Sequence, residues 1–349
     1  MSRAVPAVFV ALVFLQPLPH ENPSASSSHS VKPWKESLVK GVTLVAPPRE
    51  IGPASFEHLK SIHASWVCLV PYGFMRPGSP DVRYGAQWQW WGEKKEGILK
   101  CIEEAKRQKL RVMLKPQVYI PGGWTGDVSF DSEEKWERWE VSYKEYILDF
   151  ACLAGENGIE MFCIGTEFDR TTASRKKFWF DLVAEVRNIY HGYITYSANW
   201  DSFDKVTLWP SLDVIGISGY FPLDDKESPE VRGLVEKWKP VAVKLDNFSR
   251  KMNKKILFSE YGYMSVDGCA GKVWEVEKNR DVLNVNHAAQ SNSYDALWSS
   301  LHSKEFWAGG FTWKWFPEGM GHEGYPEKDY TPQGKPAEKI LEKWFSKKY

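Results

Sequence analysis

The chain has 349 residues, and its 45 basic and 45 acidic side chains leave no net charge. The balanced charge argues against nucleic acid as a partner, because phosphate binding requires a basic excess. The length fits an α/β barrel with extended loops. Tryptophan is unusually frequent, with 18 residues, so the chain can fill a large aromatic core or present many flat rings at its surface.

The N-terminal residues have the features of a secretory signal peptide. Arg3 precedes an apolar stretch over residues 4–15, and a segment rich in Ser and Pro follows over residues 22–33. The apolar stretch is too short to span a bilayer comfortably, and no second candidate span follows. We therefore expect a signal peptide over residues 1–20, a linker over residues 21–37, and a secreted or periplasmic protein without a membrane segment after signal removal.

From residue 40 onward, predicted strands and helices alternate. Apolar runs predict parallel strands buried on both faces, and apolar residues at helical spacing predict amphipathic helices. The predicted strands cover residues 40–47, 64–74, 110–120, 158–168, 192–200, 211–223, 255–263 and 307–317. The predicted helices cover residues 54–63, 93–109, 131–157, 174–190, 228–252 (which Pro240 could break), 286–302 and 334–348.

Eight strands that alternate with helices predict a single (β/α)8 barrel over residues 38–349. The main alternative is an open, doubly wound sheet, which would lead us to expect a glycine-rich phosphate loop after an early strand. The sequence contains no G-x-G-x-x-G or G-x-x-x-x-G-K motif. It also shows no internal repeat and no second domain.

The cysteines and histidines predict neither a disulfide framework nor a metal site. The five cysteines are an odd number and include no C-x-x-C pair. Cys68 and Cys163 lie inside predicted strands and are expected to be small buried hydrophobic residues. The eight histidines occur singly, without H-x-H or H-E-x-x-H spacing. We therefore expect no metal and no cofactor, and the absence of a G-x-S-x-G motif argues against a serine hydrolase.

Two glutamates lie at the ends of predicted core strands. Glu167 follows the fourth strand in GIEMFCIGTEF, and Glu260 ends the seventh in KKILFSEYGY. Reactive groups of a barrel gather at the C-terminal strand ends. Enzymes that cleave glycosidic bonds usually use two carboxyl groups that face each other, one protonated and one ionised. A lone strand-end glutamate is more often solvated or ion-paired, so this hypothesis depends on their joint placement.

Other side chains near the predicted strand ends could bind a sugar. Lys115 could instead pair with an acid, and Asn199 and Tyr220 could cap loops or pack. Trp313 and Trp315 alternate along the eighth strand, so we expect them to point to the same side, where one could form the floor of a sugar site. The candidate substrate-binding residues are Tyr72, Lys115, Trp124, Asn199, Trp200, Tyr220, Trp313 and Trp315.

Five segments of the chain together resemble glycoside hydrolase family 113. They are IGTEF (164–168), VRNIYHGYITYSANW (186–200), SGYFPL (218–223), FSEYGYMSVDG (258–268) and GFTWKWFP (310–317). The resemblance implies a clan A barrel whose characterised relatives are mainly retaining endo-β-1,4-mannanases. It makes Glu167 the general acid/base and Glu260 the nucleophile, with Asn199, Trp200 and Tyr220 lining the −1 region.

Two positions depart from the expected pattern. Thr166 stands where many clan A enzymes have Asn before the acid/base, and Gln117 stands where a histidine was expected after Lys-Pro. The sequence therefore predicts a monomeric glycoside hydrolase that cleaves β-1,4-mannosidic bonds of a polysaccharide or oligosaccharide by double displacement. The alternatives are a hydrolase of another β-linked glycan, such as a β-glucan, and a non-catalytic carbohydrate-binding barrel.

Overall fold

Eight parallel strands close into a barrel in the computed structural model, which describes residues 31–318 and 326–348. The predicted (β/α)8 fold is confirmed. The order of pairing around the barrel is β1-β2-β4-β6-β7-β8-β9-β10, and β10 pairs with β1. The strands are β1 (Val39–Leu44), β2 (Trp66–Leu69), β3 (Tyr72–Phe74), β4 (Arg111–Leu114), β5 (Gln117–Tyr119), β6 (Met161–Thr166), β7 (Tyr193–Asn199), β8 (Ile215–Ser218), β9 (Ile256–Tyr261) and β10 (Trp307–Trp315).

Helices cover the outside of the barrel and bury its apolar wall. They are α1 (Ala54–Ser61), α2 (Lys95–Arg107), α3 (Glu133–Glu156), α4 (Asp169–Ser174), α5 (Lys176–Ile189), α6 (Val231–Met252), α7 (Val273–Lys278), α8 (His287–Leu301) and α9 (Pro336–Phe345). The short helices α4 and α7 were not predicted. The helix α6 is continuous through Pro240, whose side chain is exposed.

Two prolines divide the predicted second and third strands. The predicted strand 64–74 is split around Pro71 into β2 and β3, and the predicted strand 110–120 is split around Pro116 into β4 and β5. A proline has no backbone N–H to donate to a strand ladder, so it ends the regular pairing. The pieces β3 and β5 then pair with each other as a separate two-stranded sheet beyond the C-terminal ends of β2 and β4. This sheet extends one side of the barrel mouth.

The aromatic residues divide between packing and the surface. Between α3, α5 and the barrel, Trp139 stacks on Tyr143 at 5.2 Å between ring centroids, and both rings contact Phe168. Such rings bury large apolar areas and stabilise the helix layer on the sheet. Among the described residues, the tryptophans with substantial exposure are Trp88, Trp90, Trp124 and Trp274.

The cysteines and the N-terminal segment were also the subject of predictions. The predicted buried positions of Cys68 and Cys163 are confirmed, and all five cysteines are unpaired. The predicted signal peptide and the first ten residues of the predicted linker lie outside the described residues, so export stays a prediction. No helix in the described ranges is both long and apolar enough to cross a bilayer.

Candidate active site

The backbone at the end of β6 turns Glu167 towards the barrel mouth. A Cβ on Gly165 would face Tyr143 and Trp179 outside the barrel, so the next residue, Thr166, faces inward. Regular alternation would then point Glu167 outward. Instead, Glu167 has a φ of 57° and donates its N–H to the Ser197 carbonyl at 2.8 Å. This left-handed conformation is rare for a residue other than glycine and is often found at functional sites.

A bulge in β9 brings Glu260 to the same mouth. Ile217 pairs with Phe258, but Ser218 pairs with Glu260, so one extra residue is inserted in β9. Phe258 packs outward on Trp238, whereas Ser259 lies inside the barrel and bonds Ser197. Without the bulge Glu260 would face outward like Phe258. β-Bulges commonly redirect a side chain next to an active site.

A buried cation holds the Glu260 carboxylate. Lys115, the residue after β4, is fully buried and donates from Nζ to Glu260 Oε2 at 2.8 Å. Tyr220 donates its hydroxyl to Glu260 Oε1 at 3.4 Å. Burial alone would lower the pKa of Lys115, but the neighbouring Glu260 carboxylate raises it above the ordinary lysine value. Lys115 is therefore a cation, and its charge lies directly against the Glu260 carboxyl group.

Glu167 has the opposite electrostatic environment. Burial raises the pKa of its carboxyl group, and the charge of the nearby Glu260 raises it further. The indole N–H of Trp124 donates to Glu167 Oε2 at 2.8 Å, and this bond and one from Ser218 oppose the rise only partly. Glu167 is thus favoured in its protonated form, whereas Glu260 is held against the Lys115 cation. This is the division of roles that general acid catalysis beside a carboxylate nucleophile requires.

Three serine hydroxyls form a layer beneath the glutamates. Ser197 Oγ lies 2.7 Å from Ser259 Oγ and 3.1 Å from Ser218 Oγ, and all three residues are fully buried. The three hydroxyls form hydrogen bonds with one another, and Ser218 also forms a hydrogen bond with the Glu167 carboxyl group. None of the three was among the predicted site residues. The position of Ser259 directly before Glu260, in F-S-E, was the signal available for one of them.

The remaining predicted residues occupy different parts of the mouth. Tyr72 and Trp313 line a cleft beside the glutamates, and Lys115 Nζ lies 5.6 Å from the centroid of the Trp313 ring. Trp200 stacks on Trp274 with ring centroids 6.0 Å apart and an angle of 6°. The side-chain oxygen Oδ1 of Asn199 accepts a hydrogen bond from the backbone N–H of Trp200 at 2.9 Å. Asn199 thus caps the loop that follows its strand.

The placement of Trp315 requires a correction. Trp315 is 1% exposed, and its ring contacts His58 of α1, with the centroids 5.2 Å apart. It is therefore packed outside the barrel wall and cannot stack on a sugar at the mouth. A register shift between β1 and β10 separates the pair Val42–Thr312 from the pair Leu44–Trp315. Trp313 and Trp315 consequently do not share a side, contrary to the prediction from alternation.

The two positions that depart from the expected motif both carry buried polar atoms. Thr166 Oγ1 and Gln117 Oε1 have no hydrogen-bond partner among the described residues. A buried polar atom without a partner is costly in a folded protein. Within the described ranges, no cluster of three or more His, Cys, Asp or Glu residues could hold a metal ion.

Comparison with solved structures defines the class of protein. The GH113 β-mannanase AaManA from Alicyclobacillus acidocaldarius matches with a TM-score of 0.77 and 27% identity, covering 89% of this chain and 98% of that chain. A GH113 β-1,4-mannanase matches with a TM-score of 0.75 and 24% identity, over 90% and 100% of the two chains. A Ruminococcus gnavus β-glucuronidase shares the fold at 13% identity and a TM-score of 0.60, over 89% and 51%. The chain is a barrel glycoside hydrolase.

The family follows from the sequence. The model of Glycoside Hydrolase Family 113 matches residues 49–335, which is most of the chain. This protein belongs to glycoside hydrolase family 113, as its motifs predicted. No curated protein shows significant similarity to the chain.

The Lys115–Glu260 pair yields a prediction for the stability of the fold. Lys115→Met should lower the free energy of unfolding at neutral pH by about 3–5 kcal/mol, because it leaves a buried carboxylate without its cation. Denaturant unfolding at neutral pH measures the deficit.

A double variant separates this electrostatic effect from a packing defect. Adding Glu260→Gln to Lys115→Met removes the uncompensated charge and should recover much of the lost stability. Lys135→Met, which removes an exposed lysine paired with Asp131, is the matched control and should change little. A double variant no more stable than Lys115→Met would contradict the assignment.

Proposed function

We propose that this protein is a retaining β-1,4-mannanase that works by double displacement. The observation that supports the mechanism best is the pair of unlike carboxyl groups, in which Glu260 is paired with Lys115 and Glu167 has a raised pKa. The substrate proposal draws on the matched GH113 structures, which are described as β-mannanases. Glu167 and Glu260 occupy the strand ends expected of the acid/base and the nucleophile.

In the first step, Glu260 attacks the anomeric carbon while the glycosidic C–O bond breaks. Glu167 gives its proton to the departing oxygen. The Trp124 indole N–H, bonded to Glu167 Oε2, holds this carboxyl group in place. The sugar is then joined to Glu260 through an ester bond. Glu260 therefore no longer carries the full negative charge that faced Lys115.

In the second step, Glu167 acts as a base. It removes a proton from water, the water oxygen attacks the anomeric carbon, and the bond to Glu260 breaks. The sugar leaves with its original anomeric configuration, and both glutamates return to their starting protonation states. The unpartnered oxygens of Thr166 and Gln117 supply acceptors for sugar hydroxyls in place of the usual Asn and His. Trp200 and Trp124 offer flat rings beside the reacting sugar.

Product analysis tests substrate and stereochemistry together. Mannohexaose should be cleaved to shorter manno-oligosaccharides faster than cellohexaose of the same length. The first-formed reducing end should be the β-anomer, as observed by proton NMR before mutarotation. Preference for cellohexaose would replace mannan with a β-glucan, an α-anomeric product would exclude double displacement, and binding of these glycans without any cleavage would favour a non-catalytic barrel.

A further inference from the structure

An aromatic cleft lies beside the glutamates at the barrel mouth. Its cavity has a volume of about 440 Å³ and is lined by residues at the ends of β10, β1 and β2 and by the β3–β5 sheet. The eighth barrel strand lies directly across the barrel from the fourth, which Glu167 follows, and the first strand is its neighbour. Here the term aromatic cleft denotes the site formed by Phe74, Trp88, Gln89, Glu93, Tyr119 and Trp313.

The position of the cleft fixes which part of a glycan could reach it. Glu167 must contact the leaving-group oxygen, so the leaving group lies on the side of the fourth strand. The cleft lies on the opposite side, where the glycone continues. Trp313 forms a wall of the cleft and also contacts Lys115, which bonds Glu260. A chain with its reacting sugar over Glu260 would therefore extend past Trp313 into the cleft.

Flat rings form one wall of the cleft. Phe74 makes edge contacts with Trp88, at 4.7 Å between centroids, and with Tyr119, at 5.9 Å. Trp88 is nevertheless 62% exposed and Tyr119 is 50% exposed. Large exposed aromatic surface in a concave site is typical of a ligand-binding site. The C–H face of a hexose ring is a suitable partner for such surfaces.

A buried carboxyl group lies in the same cleft. Glu93 is 8% exposed, and its Oε2 accepts a hydrogen bond from the Gln89 amide at 3.4 Å. Burial raises the pKa of Glu93, against weaker opposition from Gln89 and the Trp90 backbone. No ion pair with Glu93 is formed among the described residues. A carboxylate so placed needs further donors, and two neighbouring sugar hydroxyls can supply them.

The loop that carries Glu93 packs tightly against the segment that follows β1. Gly92 donates its N–H to the Pro47 carbonyl at 2.8 Å, and a Cβ on Gly92 would lie 2.2 Å from Pro47 Cδ. A Cβ on Gly97 would lie 2.1 Å from the Trp91 carbonyl oxygen. These contacts leave room only for glycine, and they fix the loop before a ligand arrives. A preformed site loses less conformational entropy on binding.

We propose that the aromatic cleft is a distal glycone subsite that binds a neutral hexose unit of the substrate chain. Trp88 and Tyr119 contact the C–H face of this unit, and Glu93 accepts hydrogen bonds from two of its hydroxyls. A uronic acid would place a second carboxylate beside Glu93, so the subsite discriminates against anionic glycans. The inference rests on the proposed function for the reacting sugar, and it adds a binding site that governs dependence on chain length.

The test is the dependence of kcat/KM on chain length, measured with aryl β-manno-oligosides of one to four sugars. In the unmodified enzyme, kcat/KM should rise once a sugar occupies the cleft. Glu93→Gln should remove about tenfold of that rise, because hydrogen bonds to a charged acceptor become bonds to a neutral one. It should leave the shortest cleaved substrate unchanged. Glu96→Gln, an exposed change in the first turn of α2, which follows Glu93, is the matched control.

Trp88→Ala provides an independent variant if Glu93→Gln folds poorly, because the Trp88 side chain is largely exposed. It should also flatten the rise of kcat/KM with chain length. An equal loss on short and long substrates, or no loss on any, would overturn the subsite. If the enzyme prefers gluco-oligosides, the proposed mannanase function fails, but the same comparison in the gluco series still decides the role of Glu93.

Discussion

Glu260→Ala should lower kcat on mannan by at least about 10⁴-fold, the scale of loss seen when a covalent catalyst is removed from a hydrolase. In the proposed mechanism the variant lacks the nucleophile that forms the glycosyl-enzyme, so water would have to attack without covalent help. Rates are measured by reducing-sugar release at matched enzyme concentration. Glu134→Ala, which removes an exposed glutamate on α3, should retain full activity under the same conditions.

The proposed role of Glu260 can also be tested by the product that the Glu260→Ala variant forms with azide. Azide can enter the space left by the side chain and attack an activated aryl β-mannoside, and it should yield the α-mannosyl azide. Glu260→Gln keeps an oxygen that can accept from Lys115 and therefore tests activity with less loss of stability than Glu260→Ala. Hydrolysis that continues at the original rate in the folded Glu260→Gln enzyme would refute the nucleophile assignment.

Glu167→Ala should have an effect that depends on the leaving group. On mannan, kcat/KM should fall by about 10²–10⁴-fold, the usual contribution of a general acid. On a dinitrophenyl β-mannoside the first step needs no proton, so it should survive, while the second step is slow without a base. A burst of dinitrophenol followed by a slow steady state is the expected observation. Equal losses on both substrates would contradict an acid/base role.

The pH profile gives a second measurement on Glu167. An acid must be protonated to act, so activity should decline as the pH rises through the raised pKa of Glu167. The decline should begin at a higher pH than an ordinary glutamate would give. In Glu167→Ala, the first step on the dinitrophenyl substrate should lose this alkaline decline. An alkaline decline that persists unchanged in the variant would assign it to another group.

Much of the architecture was predictable because it depends on local pattern. Eight apolar runs alternate with amphipathic segments, and burial of both faces of a parallel strand requires such runs. The glutamates at the ends of the fourth and seventh strands, and the motifs around them, were enough to indicate the family. Errors occurred where a proline interrupted a run, as at Pro71 and Pro116, or where a helix tolerated an exposed proline, as at Pro240.

The direction of each side chain at the site was decided by tertiary structure. The alternation of side chains along a strand predicts which face of the sheet each one occupies only while the strand stays regular. The bulge before Glu260, the left-handed backbone at Glu167 and the register shift before Trp315 all break that regularity. None of these irregularities has a local sequence signal, because each depends on how the neighbouring strand pairs.

The partners of the two glutamates were likewise beyond the sequence. Lys115 and Glu260 are 145 residues apart, and only closure of the barrel brings β4 and β9 to one mouth. Glu93, after the second strand, joins Trp313 of the eighth strand for the same reason. The sequence by itself determined the strands, their order and the two strand-end glutamates, since these follow from residue type and local period. The tertiary structure decided which charges meet, because pair contacts across a closed barrel depend on register and curvature.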